Sequence, residues 1–283
     1  MVLRLKTKGS SAPFADYLKK FAKVRKSLLL EIDPITENFI AKTYTEDHSV
    51  VFASTLSFEK AGFEITEHNG DTNGNRIKLG IVVNLDKLIK IVNQFGNHFE
   101  MSFDYDVLNN DDKDDYICQQ VSFKSNTLKM KMNGSKIGEF QYLPDDVFNN
   151  TVCKIYNEIV VPLSADTIST SIKTSAIAAI DPKKDSLVFY ISNDALYVKD
   201  NVGKDENGND RMSNFEYKLA DLTDVPTYPV RLPISREKFV MVLDGNSETF
   251  EVVIGKDSRD ELSKIIFNST ETDTKIVIAT INE

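Results

Sequence analysis

The chain has 283 residues, 41% hydrophobic and 27% charged, which supplies a core and excludes disorder throughout. With no Trp, 8 Pro and 12 Gly, collagenous and low-complexity classes are excluded as well, and the length suggests about two domains. Acidic residues outnumber basic ones 43 to 34, a net charge of −9, so the surface as a whole does not coat nucleic acid and any basic face is local.

Residues 2–6 alternate apolar and basic side chains, as a strand does. Ser10 and Ser11 offer an N-cap, and Pro13 suits the first turn of a helix. Phe14, Tyr17, Leu18, Phe21 and Val24 follow at helical spacing. Strands are expected at residues 27–33, 38–45, 50–58 and 76–83. Asn84 then caps a second helix to about Phe95, with Leu85, Leu88, Ile89, Val92 and Phe95 inward. Residues 99–105, 117–124, 127–132 and 138–142 read as β-rich. Pro144, two Asp and two Asn interrupt the pattern over 143–156 and mark a joint. The second part opens with a strand at 158–163 and a Ser/Thr-rich helix from Ser164 to about Ile180. Strands at 187–192, 195–200, 214–219 and 228–234 lead to Ser235, which caps a short helix ending near Gly245. Strands at 249–255, 263–268 and 275–281 complete the chain.

The chain repeats itself. Residues 82–93 fall on 233–244 with apolar meeting apolar at nearly every position, Asp86 on Glu237 and Lys87 on Lys238. At the same offset Phe99-Glu100-Met101 meets Phe250-Glu251-Val252. Residues 27–32 match 186–191, and 121–125 match 265–269. Blocks that keep their order in both halves indicate duplication, giving a domain over 1–142, a connector over 143–156 and a second domain over 157–283.

Positive charge gathers on the expected helices. Opposite the apolar face of the first lie Lys19, Lys23 and Lys26, with Lys20 and Arg25 beside them. On the second, Lys87 and Lys90 point away from the apolar stripe. Lys173 and Lys238 occupy outward positions on the helices of the second half, where Arg236 stands at the start of the last helix. A solvated helix face accounts for such residues on one helix; four basic outer faces in an acidic protein equally fit a surface for phosphates.

Other motifs are weak. Asp104, Asp106, Asp111, Asp112, Asp114 and Asp115 crowd one segment, and Asp200, Asp205, Glu206 and Asp210 another. A calcium loop would need the Gly and distal Glu of an EF-hand in register, so solvated hairpin loops fit better. His48, His68 and His98 lie in separate segments without metal-ligand spacing, and no phosphate-binding loop or nucleophile elbow is present. No catalytic residues, metal or cofactor are expected. Cys118 and Cys153 lack a scaffold or zinc pattern and point to a reducing compartment. No secretory signal is expected, and the apolar runs are far shorter than the roughly 20 residues of a membrane span. The three Asn-x-Ser/Thr matches, at Asn133, Asn149 and Asn268, are read as chance.

A twofold repeat, each unit holding two helices between strands, resembles the DNA sliding clamps, and among them the two-domain type typified by proliferating cell nuclear antigen and the tailed-phage clamps. The resemblance spans essentially the whole chain and is strongest at residues 28–45, 84–103 and 239–281. It implies an α+β fold of duplicated domains, each with two helices packed on antiparallel β-sheet, assembling into a ring. It further implies a non-enzymatic homotrimer that encircles double-stranded DNA without sequence specificity, is placed by a clamp loader and tethers a DNA polymerase. The ten basic residues would face the DNA. Leu143, Val147, Phe148 and Ile281 would bind partner peptides, although Val147 and Phe148 equally suit anchors of the connector. The acidic loop at 109–115 and the long loop at 201–211 are extra to a minimal clamp, and the somewhat long chain, distant from familiar cellular clamps, suits a phage or viral version working in the host-cell cytoplasm. A monomeric polymerase accessory protein of similar fold and a β-rich virion or scaffold protein stay open as alternatives.

Overall fold

The computed structural model describes residues 2–69, 78–110, 113–135, 143–179, 185–201 and 215–281, with backbone alone at 106–110 and 113–117. The chain divides into two compact units. One comprises Met1–Thr43 and Ala53–Leu143; the other comprises Tyr44–Phe52 and Pro144–Glu283. The hairpin tip Tyr44–Phe52, expected in the first domain, thus belongs to the second unit, as do the connector residues from Pro144 on.

The first stretch of chain runs β1 (Val2–Thr7), α1 (Ala12–Ala22), β2 (Ser27–Asp33), β3 (Asn38–Tyr44), β4 (Val50–Ser57), α2 (Phe58–Ala61), β5 (Phe63–His68), β6 (Leu79–Asn84), α3 (Leu85–Phe95), β7 (Glu100–Asn110), β8 (Lys113–Lys124) and β9 (Lys129–Asn133). Their order in the sheet is β4-β3-β2-β6-β8-β7-β1-β5, with β9 also on β8. A short parallel contact of Leu79 and Gly80 with Tyr116 and Ile117 joins β6 to β8. The ladders β2–β3, β2–β6, β7–β8, β8–β9, β1–β7 and β1–β5 are antiparallel.

The remainder runs α4 (Asp145–Val147), a π-helical turn (Phe148–Val152), β10 (Tyr156–Leu163), α5 (Ala165–Ala178), β11 (Ser186–Ser192), β12 (Ala195–Asp200), β13 (Glu216–Asp221), β14 (Arg231–Ser235), α6 (Arg236–Leu243), β15 (Phe250–Lys256), β16 (Lys264–Ser269) and β17 (Asp273–Ala279). Its strands follow the orders β10-β15-β16-β17 and β13-β12-β11-β14.

The duplication is visible strand by strand. The run β10-β15-β16-β17 repeats β1-β7-β8-β9, and β13-β12-β11-β14 repeats β4-β3-β2-β6. α5 follows β10 as α1 follows β1, and α6 follows β14 as α3 follows β6. Register agrees to the residue: Ser27 pairs with Asn84 and Ser186 with Ser235, the last residues before α3 and α6. Each keeps an extended backbone and caps the helix that follows. Asn84 Oδ1 accepts from the Lys87 N–H at 2.9 Å, and Ser235 Oγ accepts from the Lys238 N–H at 3.4 Å.

Each unit has its own aromatic core. In the first, Phe39 meets Phe14 at 4.5 Å between ring centroids and Phe58 at 4.7 Å, while Phe63 sits edge-on to Phe14 at 5.5 Å. In the second, Phe239 packs on Phe189 at 5.5 Å and Phe267 at 6.1 Å. These tilted and edge-on geometries suit the quadrupoles of the rings.

Several expectations are corrected. Ser11 does not cap α1; its hydroxyl donates to the Gly96 carbonyl at 2.6 Å. α1 stops at Ala22, leaving Val24 in the following turn. Phe58 ends no strand but opens α2, which Ser57 caps and the left-handed Gly62 (φ 79°) closes, and β5 follows. On α3 the buried stripe takes in Ile91 in place of Ile89, which is half-exposed like Phe95. Ile91 also lines a shallow cleft with Met130 of β9. The expected strand at 138–142 lies outside the described residues.

Candidate nucleic-acid interface

In the first unit α1 and α3 lie side by side, clasped at both ends. Ser11, before α1, bonds to Gly96, after α3; the Leu85 N–H at the start of α3 donates to the Lys26 carbonyl, past the end of α1, at 2.9 Å. The helices are therefore antiparallel. α1 buries Phe14, Ala15, Tyr17, Leu18 and Phe21, and the Tyr17 hydroxyl donates to the Ser54 carbonyl at 2.9 Å. That face fixes the rotation of the helix. Lys19, Lys23 and Lys26 are left exposed, and Lys20 and Arg25 half-buried. On α3, burial of Leu85, Leu88, Ile91 and Val92 leaves Lys87 and Lys90 exposed. Asp16 offsets part of this charge, its carboxylate 2.8 Å from the Lys19 ammonium.

The second unit pairs α5 with α6 differently. α5 buries two serines, each donating to the carbonyl three residues back: Ser171 to Ile168 and Ser175 to Ile172, both at 2.8 Å. The second of them meets Arg236. Expected at the margin of an exposed face, Arg236 is instead only 5% exposed, and its Nε donates to Ser175 Oγ at 3.4 Å. Lys238, expected to point outward, is half-buried and lies 3.1 Å from the Asp47 carboxylate. Asp47 also accepts from the Thr45 and Ser49 hydroxyls at 2.6 Å each and from the Ser49 N–H at 3.1 Å. Burial pushes its pKa up, but these hydrogen bonds and Lys238 outweigh it and hold the carboxyl well below the usual range. Lys173 is exposed on α5, one turn from Ile177, which is 88% exposed. Basic exposure is thus concentrated on the helix pair of the first unit.

Phe148, one of the four residues expected to meet partner peptides, is buried in the π-helical turn, with the Lys275 ammonium 6.0 Å from its ring centroid. Lys264 donates to the Thr151 carbonyl at 2.9 Å, fastening the same turn to β16. Val147 is exposed, and Leu143 half-buried at the end of the first unit. Ile281 donates its N–H to the Pro233 carbonyl at 2.9 Å. It lines a cleft of about 630 Å³ with Arg231, Leu262 and Thr280 that Val147 and Phe148 do not reach.

Among the described residues no three His, Cys, Asp or Glu side chains cluster as a metal site, and no helix is long and apolar enough to cross a membrane. Asp205, Glu206 and Asp210, weighed for calcium, lie outside the described residues, as do the side chains of 106–115. Burial pushes the Cys118 thiol up to about 12, and it raises Cys153 too, against the opposing charges of Lys275 and Lys264.

The fold defined by this strand order and these paired helices is that of the DNA sliding clamps. No family model matches the sequence, and no curated protein does. Solved structures do. The beta chain of DNA polymerase III from Streptococcus pneumoniae matches with a TM-score of 0.63 at 13% identity, covering 100% of this chain and 66% of that one. A Helicobacter pylori beta clamp bound to a DNA ligase peptide matches with a TM-score of 0.65 at 12% identity, over 99% and 66%. The PCNA of A. fulgidus, bound to the C-terminal region of FEN-1, matches with a TM-score of 0.61 at 9% identity over the full length of both chains. The chain spans about two thirds of the bacterial beta chains and the whole of the archaeal PCNA.

Proposed function

We propose that the protein is a DNA sliding clamp: a non-enzymatic ring of several copies that encircles duplex DNA without reading its sequence and tethers a DNA polymerase. The observation that carries this reading is the clasped pair α1/α3. It presents Lys19, Lys23, Lys26, Lys87 and Lys90 to solvent in a protein of net charge −9. Mobile ammonium groups attract phosphates while a topological link does the holding, so the DNA can slide. Acidic surface elsewhere discourages DNA outside the ring. Closure into three copies, with a loader to open it, follows the two-domain type. Among the described residues β9 and β13 are strands at sheet edges, and pairing between them from copy to copy would satisfy their open backbone groups. The cleft at Ile281 is the place for partner peptides. Origin in a phage or virus belongs to the same reading.

A second reading has one observation in its favour. With Arg236 buried and Lys238 paired, the second unit adds little beyond Lys173 to a basic face. A monomer clinging to DNA through its first unit would need no more. Sedimentation across micromolar concentrations, then polymerase extension on primed circular DNA with and without a loader, separates the two. A clamp sediments at a multiple of the protomer and lengthens products per binding event. A monomer that stimulates synthesis without surviving on closed circles sinks the ring.

A further inference from the structure

The two units differ at one equivalent edge. In the first, β5 lies antiparallel along the outer side of β1, pairing Leu3–Thr7 with residues 63–68. β10 is the counterpart of β1: Val161 faces Val252 as Leu5 faces Met101, and Pro162 faces Glu251 as Lys6 faces Glu100. After β4 the chain supplies α2 and β5. After β13 it runs through residues 222–230 with no strand. Among the described residues, β10 pairs with β15 and with nothing on its other side.

The alternation of β1 shows which backbone groups are left. The Thr7 N–H points toward the β7 side, to the Phe99 carbonyl at 3.0 Å, and the Lys8 N–H toward the β5 side, to the Gly62 carbonyl at 2.8 Å. Arg4 and Lys6 therefore face β5, and their counterparts Val160 and Pro162 face the open side of β10. Pro162 has no N–H to give, which limits adventitious pairing at the edge, while Val160 keeps both its groups.

Along this edge lies a groove of about 770 Å³, formed by residues 157–162 and 221–228. Val160 and Val225 are 46% and 47% exposed in it, and the Tyr228 hydroxyl donates to the Asn157 carbonyl at 2.8 Å. Glu158, Asp221 and Asp224 line it, and no Lys or Arg is among its described lining residues. Lys218 approaches Asp221 at 2.5 Å, and Lys256 sits 5.0 Å from the Tyr228 ring centroid. The charge balance of the groove stays negative.

We propose that this groove receives an extended segment of a partner protein as an added strand beside β10, and that the segment alternates basic and apolar residues. The first unit closes the same position with its own β5. The second leaves it to an outside strand whose cations fall on the exposed face of β10 beside Glu158, toward Asp224, with their aliphatic stems over Val160, and whose apolar side chains fall on the other face beside Ile159 and Val161. The proposal is independent of the DNA-binding reading and holds whether or not the helices touch a duplex.

The test is fluorescence anisotropy of the full chain with a labelled peptide of alternating Lys and Val. Saturable binding is expected. It should weaken roughly tenfold or more in E158K/D224K, two exposed changes on the groove. The variant E46K/E59K, with the same change of net charge outside the groove, should bind as wild type. Methylating alternate backbone nitrogens of the peptide should abolish binding, because strand pairing needs those donors. Absence of binding, equal weakening in both variants, or indifference to backbone methylation would overturn the proposal. So would a peptide that binds by dissociating assembled protein in sedimentation, since a second copy would then be the occupant. Thermal unfolding of each variant confirms that it is folded.

Discussion

Asp47 shows how much one side chain can hold. Its carboxylate gathers two hydroxyls, a backbone N–H and the Lys238 ammonium within a tight hairpin, where His48 takes a left-handed conformation (φ 56°). Asp47→Ala is expected to cost about 1 kcal/mol, the scale of a lost cap, read from thermal unfolding. The folded pKa lies below the unfolded one, so this contribution is complete above the ordinary carboxylate range and is lost as pH falls through the folded value. The variant should therefore show a shallower loss of stability on acidification than wild type. Gly255 is a second sensitive position. A Cβ there would lie 2.2 Å from the Ile155 side chain and 2.7 Å from the Tyr156 carbonyl, where β10 bulges between Tyr156 and Ile159. Gly255→Ala should destabilise by about 1–3 kcal/mol, the usual cost of overpacking, with a measurable drop in the denaturant midpoint. The buried Cys118 thiol, with its pKa pushed to about 12 and its Sγ donating to the Gln120 carbonyl at 2.9 Å, should resist alkylation at pH 8 until the protein unfolds.

At the scale of elements, the helix caps and the exposed lysines are the parts to test. Asn84→Ala and Ser235→Ala should each destabilise by about 1 kcal/mol, read from the unfolding midpoint, since each removes the acceptor for an N-terminal N–H. Lys19→Ala, Lys23→Ala and Lys87→Ala combined should leave stability within about 0.5 kcal/mol per site. DNA association should fall, and the dependence on salt should flatten by about 0.9 for each phosphate that is no longer neutralised. Equal salt slopes for variant and wild type would return these lysines to ordinary solvated surface. Much of this level was legible in the sequence. The matched blocks at 82–93 and 233–244 marked both capped helices and the duplication, because a cap followed by an apolar stripe is a local signal. What was not legible depended on neighbours. Ser11 looked like a cap, yet its hydroxyl is taken by Gly96, far along the chain. Arg236 looked like an outward charge, yet it is buried with its Nε on the hydroxyl of Ser175, a small residue of another helix. α2 and β5 were missed although Ser57 and Gly62 carry a start and a stop signal only a few residues apart.

For the molecule as a whole, the prediction that matters is assembly. If β9 and β13 pair between copies, Lys218→Pro on β13 should lower the assembled mass in sedimentation while the protomer stays folded by circular dichroism: the Phe215 N–H faces Asp200 of β12, so by alternation the Lys218 N–H faces the open edge, and Pro removes that donor. Unchanged assembly in a folded variant would move the copy-to-copy interface elsewhere.

The membership of Tyr44–Phe52 in the second unit bears on how the protein is made. Lys238 reaches Asp47, and the Ala279 N–H donates to the Ser49 carbonyl at 2.8 Å, so the later half is finished with a piece synthesised well before it. As the chain leaves the ribosome, most of the first unit can fold at once while that hairpin waits for its partners. A fragment starting at Pro144 would emerge incomplete. It should unfold at lower temperature than the same residues in the full chain, and regain part of the difference when a peptide spanning residues 44–52 is supplied in trans.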